Sequence, residues 1–372
     1  MKIILLKTNI KEGLSAVERG VTESNSLPVL KNILIKTFNN RIRIDSTNLE
    51  IGISRFVSGK IIENGSVTVP FHVLLGIVNN LDAERINLET DGNNLLIKTD
   101  NYEAKIQGIS PEEFPIIPKI SNLDYYLEIN SDFLKKYISK VITCCQISEI
   151  RPEISGIMFD FQMTVLKLAA TDSFRLAEAS IFSNHFKTNF IRGFKVVVPM
   201  KTAQEIMRIF GDNQNITIHV DPNQILFKNE DSELISRLIE GEYPDYDQIV
   251  PKELKTELLI NKNNFTNALK LVSNFSGRIN EIKIKLKDGK KVLDVYSSSQ
   301  YLGENNYLVP VKSKGEDFSE VKFNWRFLID GLKTLETDNV LFGINGDSKP
   351  SLIKSPEDTS YFYILMPIKN GG

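Results

Sequence analysis

Tyr126-Leu127-Glu128-Ile129, a polar break at Ser131 and then Phe133 to Cys144 form a strand running into a helix. The alternating stretch suits a strand. Phe133, Tyr137, Val141 and Cys144 step by 4, 4 and 3, which stripes one face of a helix. The same unit occurs twice more: Lys2-Ile3-Ile4-Leu5-Leu6 before Ile10 to Val21, and Glu257-Leu258-Leu259-Ile260 before Phe265 to Val272. Asn9, Ser131 and Asn263 or Asn264 lie at the breaks and are residue types that cap helix N-termini. A fold built on one unit met three times is a repeat architecture.

A second unit recurs between the copies of the first. Ser66 to Phe71, Lys195 to Met200 and Glu320 to Trp325 each read as a strand entering a helix, with Pro70 and Pro199 at the mouth of the first two. Proline is harmless there because its missing N–H would have had no helical partner. Pro70, Pro199 and Asn324 are 129 and 125 residues apart, and two loop signatures keep the same step. Ser46-Thr47-Asn48-Leu49-Glu50 matches Ala170-Thr171-Asp172-Ser173-Phe174, and Phe114-Pro115 matches Tyr243-Pro244. A period near 125 residues is one domain. Alternating strands such as Arg41 to Asp45 and Arg85 to Glu89 follow each strand-helix unit. The expectation is an α+β chain of three similar domains, 1–122, 123–251 and 252–372, each with two helices packed on antiparallel sheets.

Composition narrows the function. With 45 basic and 47 acidic residues the net charge is −2, so no global field announces nucleic acid or membrane. The six expected helices nevertheless carry eleven basic against five acidic side chains, which leaves the rest of the chain acidic. Surface helices often carry lysine, so this surplus alone points only modestly to a polyanion. No apolar run approaches the ~18 residues of a membrane span, and Cys144 and Cys145, as neighbours, are not expected to pair. A soluble protein of a reducing cytoplasm is expected. His72, His185 and His219 are far apart, so no metal is expected, and no phosphate-binding glycine loop or nucleophile elbow is present. Thr171-Asp172-Ser173 has no histidine near it in sequence and is read as a turn, not a catalytic pair. No cofactor is expected.

Four segments, Leu27 to Leu34, Ala170 to Ala177, Leu238 to Tyr246 and Tyr363 to Ile368, together resemble the bacterial sliding-clamp family, the β subunit of DNA polymerase III. The resemblance covers essentially the whole chain. It implies the DNA clamp fold and a head-to-tail, ring-shaped homodimer with sheets outside and helices facing double-stranded DNA. It further implies a processivity factor that binds the replicative polymerase, the clamp loader and repair proteins through short linear peptides. A ring that slides cannot read bases, since each base-edge contact is worth about 1–3 kcal/mol. Lysines facing phosphates attract DNA of any sequence. A protein-binding scaffold that does not encircle DNA is the alternative, and it has no need of a basic surplus on helices.

On that resemblance, the peptide cleft comprises Ile154, Thr171, Ser173, Phe174, Arg175, Leu176, Pro244, Gln248, Ile249, Ile364, Met366, Pro367 and Ile368. Met366 suits a pocket that accepts several peptides. DNA would face Lys11, Arg19, Lys135, Lys136, Lys140, Arg151, Lys201, Arg208, Lys270, Arg326 and Lys333, and the dimer interface would bring Leu271 and Val272 against Ala104 and Ile106. Glu23-Ser24-Asn25-Ser26 stands where the family often has a basic residue, Gln248 and Lys369 where it often has arginine, and Asn370-Gly371-Gly372 extends past the usual end. Trp325 is expected to pack, and both cysteines to lie in or near the core.

Overall fold

The computed structural model describes residues 1–24 and 26–369, which places Asn25 of the Glu23–Ser26 loop and the tail Asn370-Gly371-Gly372 outside the described residues. By its contacts the chain divides into two compact units. One comprises residues 1–135, 184–191 and 201–239, and the other comprises 136–183, 192–200 and 240 onward. The first holds a five-stranded and a nine-stranded sheet, the second a twelve-stranded sheet. All named strand pairs are antiparallel.

Six strands run directly into helices. Lys2–Leu6 leads into α1 (Lys7–Val17), Ser66–Pro70 into α2 (Phe71–Asn80), and Leu127–Asn130 into α3 (Ser131–Val141). Phe194–Pro199 leads into α4 (Met200–Ile209), Thr256–Asn261 into α5 (Lys262–Val272), and Val321–Asn324 into α6 (Trp325–Lys333). Both repeated units are therefore present three times.

The caps fall earlier than the sequence suggested. The strand enters the helix without an intervening break, so the last strand residue is the cap. Asn130 Oδ1 accepts from the Asp132 N–H (2.9 Å), Asn261 Oδ1 from Asn264 (3.0 Å) and Asn324 Oδ1 from Arg326 (3.0 Å). Asn9, Ser131, Asn263 and Asn264 are helical, and α1 follows Leu6 with no side-chain cap. The stripe of α3 also rotates. Leu134, Tyr137, Ile138 and Val141 are buried, whereas Phe133 is exposed and packs its ring on His185 at 4.4 Å. Cys144 is fully buried in the 3-10 turn Ile142–Cys144, and Cys145 nearly so.

Within the second unit, α6 reaches its sheet at Gly331. A Cβ there would lie 2.6 Å from the Tyr363 ring, so only glycine permits that approach. Phe342 packs between Phe265 and Phe323, at 5.9 and 5.7 Å, and so ties α5 to the sheet. Trp325 is half-buried, donates its indole N–H to Ser276 Oγ (3.0 Å) and carries Arg326 over its ring (4.8 Å), which is a packing role.

Candidate binding cleft and helix surfaces

The turn Thr171–Arg175 is held by its own side chains. Thr171 Oγ1 donates to the Arg175 carbonyl (2.7 Å) and accepts from the Ser173 N–H (3.1 Å), while Asp172 Oδ1 accepts from the N–H groups of Phe174 (3.0 Å) and Arg175 (2.9 Å). Ser173 thereby adopts φ +75°, and Phe174 projects into solvent, 62% exposed. The Met366 N–H donates to the Phe174 carbonyl (2.8 Å), which brings the end of the chain beside the turn.

Beneath it, Leu176 pairs with Ile364 across the strands Arg175–Phe182 and Tyr361–Leu365, and both are buried, as is Ile154. Ile368 is fixed by its N–H donating to the Lys322 carbonyl (2.8 Å). Tyr243 and Tyr246 anchor the segment carrying Pro244, Gln248 and Ile249: Tyr243 Oη donates to the Ala169 carbonyl (3.4 Å) and Tyr246 Oη to Glu178 (2.7 Å). Ile249 remains 45% exposed, and Met366 and Pro244 are half-buried. Gln248 donates to Asp245 (2.8 Å). The predicted cleft residues thus belong to one unit. The turn adjoins Met366 and Leu176 lies beneath it, with Met366 and Ile368 half-buried and Pro367 buried at the chain end.

Arg175, expected in the cleft, is engaged on three sides. Its Nε donates to Asp172 (2.8 Å), its Nη1 to Asp330 on α6 (2.6 Å), and its guanidinium lies 4.3 Å over Phe327. It is a lock between turn and helix, which no sequence spacing announced. Arg151, assigned to DNA, is exposed and donates at the turn to Glu153 (3.1 Å) and Ser173 Oγ (3.1 Å). Ser173 and Asp172 are thus engaged structurally. Burial pushes the Cys145 thiol up to about 12 and that of Cys144 higher still, so neither supplies a thiolate. Among the described residues no group of three or more His, Cys, Asp or Glu side chains could hold a metal ion.

The six helices carry eleven basic and four acidic side chains. Among the described residues Lys11, Arg19, Lys201, Lys270 and Lys333 are exposed and form no ion pair. Lys135 and Lys136 bridge Asp212 (2.9 Å) and Glu336 (2.8 Å), and Arg326 is exposed. Two others differ from long mobile cations. Arg208 donates to the carbonyls of Ser15 (2.6 Å) and Ala16 (3.0 Å) near the end of α1. Lys140 is buried between the rings of Tyr137 and Tyr361, where desolvation lowers its pKa against the pull of Asp358.

Two of the four interface residues are also corrected. Val272 is fully buried and Ile106 nearly so, each in its own domain's core, whereas Leu271 is 52% exposed and Ala104 half-buried. The resemblance assigned all four by position in the chain, without telling which side chains turn inward. Exposed apolar residues that the sequence did not single out include Val73 and Tyr102 in the first unit, which line a hollow of about 610 Å³, and Tyr307 and Leu308 in the second. Glu103–Ile106 ends the five-stranded sheet, and residues 303–310 pair only with 292–299 among the described residues.

Three family models match in order along the chain: the N-terminal domain of the DNA polymerase III beta subunit over residues 1–118, its central domain over 128–245 and its C-terminal domain over 247–369. The chain belongs to the DNA polymerase III beta-subunit family. It is 26% identical to the beta sliding clamp of Bacillus subtilis, over 99% of this chain and all of that one. It is 28% identical to that of Staphylococcus aureus, over 94% of each chain. The crystal structure of the Bacillus subtilis DNA polymerase sliding clamp superposes with a TM-score of 0.94 at 25% identity, covering both chains fully. The fold is thus that of a sliding clamp, three α+β domains in one chain, and the family is that of a processivity factor without a catalytic site. No helix of the described residues is long and apolar enough to cross a membrane.

Proposed function

We propose that this chain is a cytoplasmic sliding clamp: two copies close head to tail around duplex DNA, and the cleft at the Thr171–Arg175 turn tethers the polymerase and other DNA-processing proteins by short linear peptides. The observation that carries this is the helix surplus of eleven basic over four acidic side chains in a chain of net charge −2, on a threefold repeat of clamp domains. Such a distribution attracts phosphates without reading bases. Domain boundaries near residues 122 and 251 fit the repeat. The unpaired edge of Glu103–Ile106 and that of residues 303–308 on a second copy can join as strands, with Leu271, Leu308, Val73 and Tyr102 as apolar contacts.

The deciding experiment is retention on closed circular DNA after loading. Protein should stay on the circle in high salt and leave when the circle is linearised. Release from intact circles at the same rate as from linear DNA would leave the non-encircling scaffold standing. For the cleft, calorimetric titration of a Gln- and Leu-containing peptide should show about thirtyfold weaker binding to Met366→Ala, the loss of one apolar anchor worth ~2 kcal/mol. Wild-type affinity in a folded Met366→Ala would put the peptide elsewhere.

A further inference from the structure

The free charge around the cleft is lopsided. Between Glu240 and Asp247, the buried Tyr243 and Tyr246 hold the segment down, and Glu240, Glu242, Asp245 and Asp247 are left exposed. Among the described residues none of these four carboxylates forms an ion pair. The cations nearby do not offset them. Arg175 is engaged by Asp172 and Asp330, and Arg151 by Glu153. Glu153, paired with Arg151, sits beside the cleft-floor residue Ile154 and abuts this segment, its Cβ 3.4 Å from where a Cβ on Gly241 would lie. Among the described residues, exposed Lys369 beyond Ile368 and exposed Lys252 past Ile249 form no ion pair, so the four carboxylates of the segment stand against two ammonium groups, one of them next to the equally free Glu253.

We propose that this acidic wall makes the cleft select extended peptides whose apolar anchors are flanked by lysine or arginine, and reject those flanked by acids. The proposal rests on the cleft reading above and names the chemistry of its occupant. The apolar floor supplies affinity that is indifferent to flanking charge, while the carboxylates are carried by the same segment as the cleft residues Pro244, Gln248 and Ile249 and so act on residues that flank the anchors. Charges at a rim contribute specificity and association rate more than raw affinity, and salt screens them.

The test uses the full-length protein and three fluorescein-labelled peptides with the same Gln- and Leu-containing core, flanked by Lys-Lys, Ala-Ala or Asp-Asp. Anisotropy should rank them in that order, with about tenfold between the first and last at 50 mM salt, falling to about twofold at 500 mM. Glu240→Gln/Glu242→Gln/Asp245→Asn/Asp247→Asn, with an unchanged melting temperature, should collapse the ranking while holding the Ala-Ala peptide within about twofold. If that quadruple variant is destabilised, Glu240→Gln/Glu242→Gln alone should halve the ranking on a logarithmic scale. Equal affinities for all three peptides would overturn the proposal and leave the cleft standing. Failure of even the Ala-Ala peptide to bind would remove the cleft reading, and this inference with it.

Discussion

The turn Thr47–Ile51 in the first unit and the turn Thr171–Arg175 in the second are the same device. In each, the threonine hydroxyl donates to the carbonyl four residues on (2.8 and 2.7 Å) and accepts from the N–H two residues on, at 3.1 Å in both. In each, the next side chain, Asn48 or Asp172, accepts from two N–H groups, and the third residue sits at φ +73° or +75°. The strand leaving each turn pairs with a later strand of the chain, Ser232–Arg237 or Tyr361–Leu365. The end of that strand then donates to the turn: Arg237, its last residue, to the Glu50 carbonyl (2.9 Å), and Met366, the residue just past it, to that of Phe174 (2.8 Å).

What differs is the filling. Where the second turn has Leu176, the first has Gly52, whose missing Cβ leaves room for Ile117 and Ile235. Those residues form a closed cluster with Ile120 and Leu226. The second turn instead presents Phe174 to solvent and sends Arg175 to α6. The scaffold is shared, and the two turns part in what fills them and in the side chain each shows to solvent, Leu49 at 42% exposure on the first and Phe174 at 62% on the second.

The contrast is broken most strongly at Arg175. Arg175→Ala leaves Asp172 and Asp330 without their cation and removes the stack on Phe327, so urea denaturation should show a loss of roughly 3 kcal/mol. Adding Asp330→Ala should recover part of it by removing one stranded carboxylate. A loss below about 1 kcal/mol would mean that the guanidinium does not lock turn to helix. The equivalence of the two scaffolds is tested next by Thr47→Val and Thr171→Val. Each deletes the same pair of hydrogen bonds, so each should cost about 1–2 kcal/mol, and the two costs should agree within about 0.5 kcal/mol. Unequal costs would mean the match in geometry is not a match in energy. Gly52→Ala should cost about 1 kcal/mol, because its Cβ would meet Ile117 at 2.6 Å and Ile235 at 3.1 Å. Ile117→Val should absorb part of that cost.

Much of this was legible in the chain. The Thr-Asn and Thr-Asp signatures matched because the hydrogen bonds that build the turn come from those side chains, and local chemistry is written locally. The six strand-to-helix passages were legible through hydrophobic period. The caps were displaced because Asn130, Asn261 and Asn324 serve both as strand ends and as caps, which periodicity divides between two elements. The engagement of Arg175 by Asp330, the burial of Lys140, Val272 and Ile106, and the filling of Gly52 by Ile117 depend on partners distant in sequence or on which face packs inward. No spacing in the chain encodes those.

The finest contrast lies at the left-handed residue itself. Leu49 and Ser173 share one backbone conformation, which costs an L-residue about 1 kcal/mol and a glycine almost nothing. Glycine also loosens the unfolded chain by ~0.5–1 kcal/mol, so Leu49→Gly should be near neutral. Ser173→Gly makes the same exchange but also removes the hydroxyl that accepts from Arg151 at 3.1 Å, an exposed bond worth about 0.5 kcal/mol. Ser173→Gly should therefore fall below Leu49→Gly by about that amount, and the gap should close when both substitutions are repeated in an Arg151→Met background. A gap that persists there would place the difference in the buried flank of the turn, at Asp172 and Arg175, and leave the Arg151 bond without energetic weight.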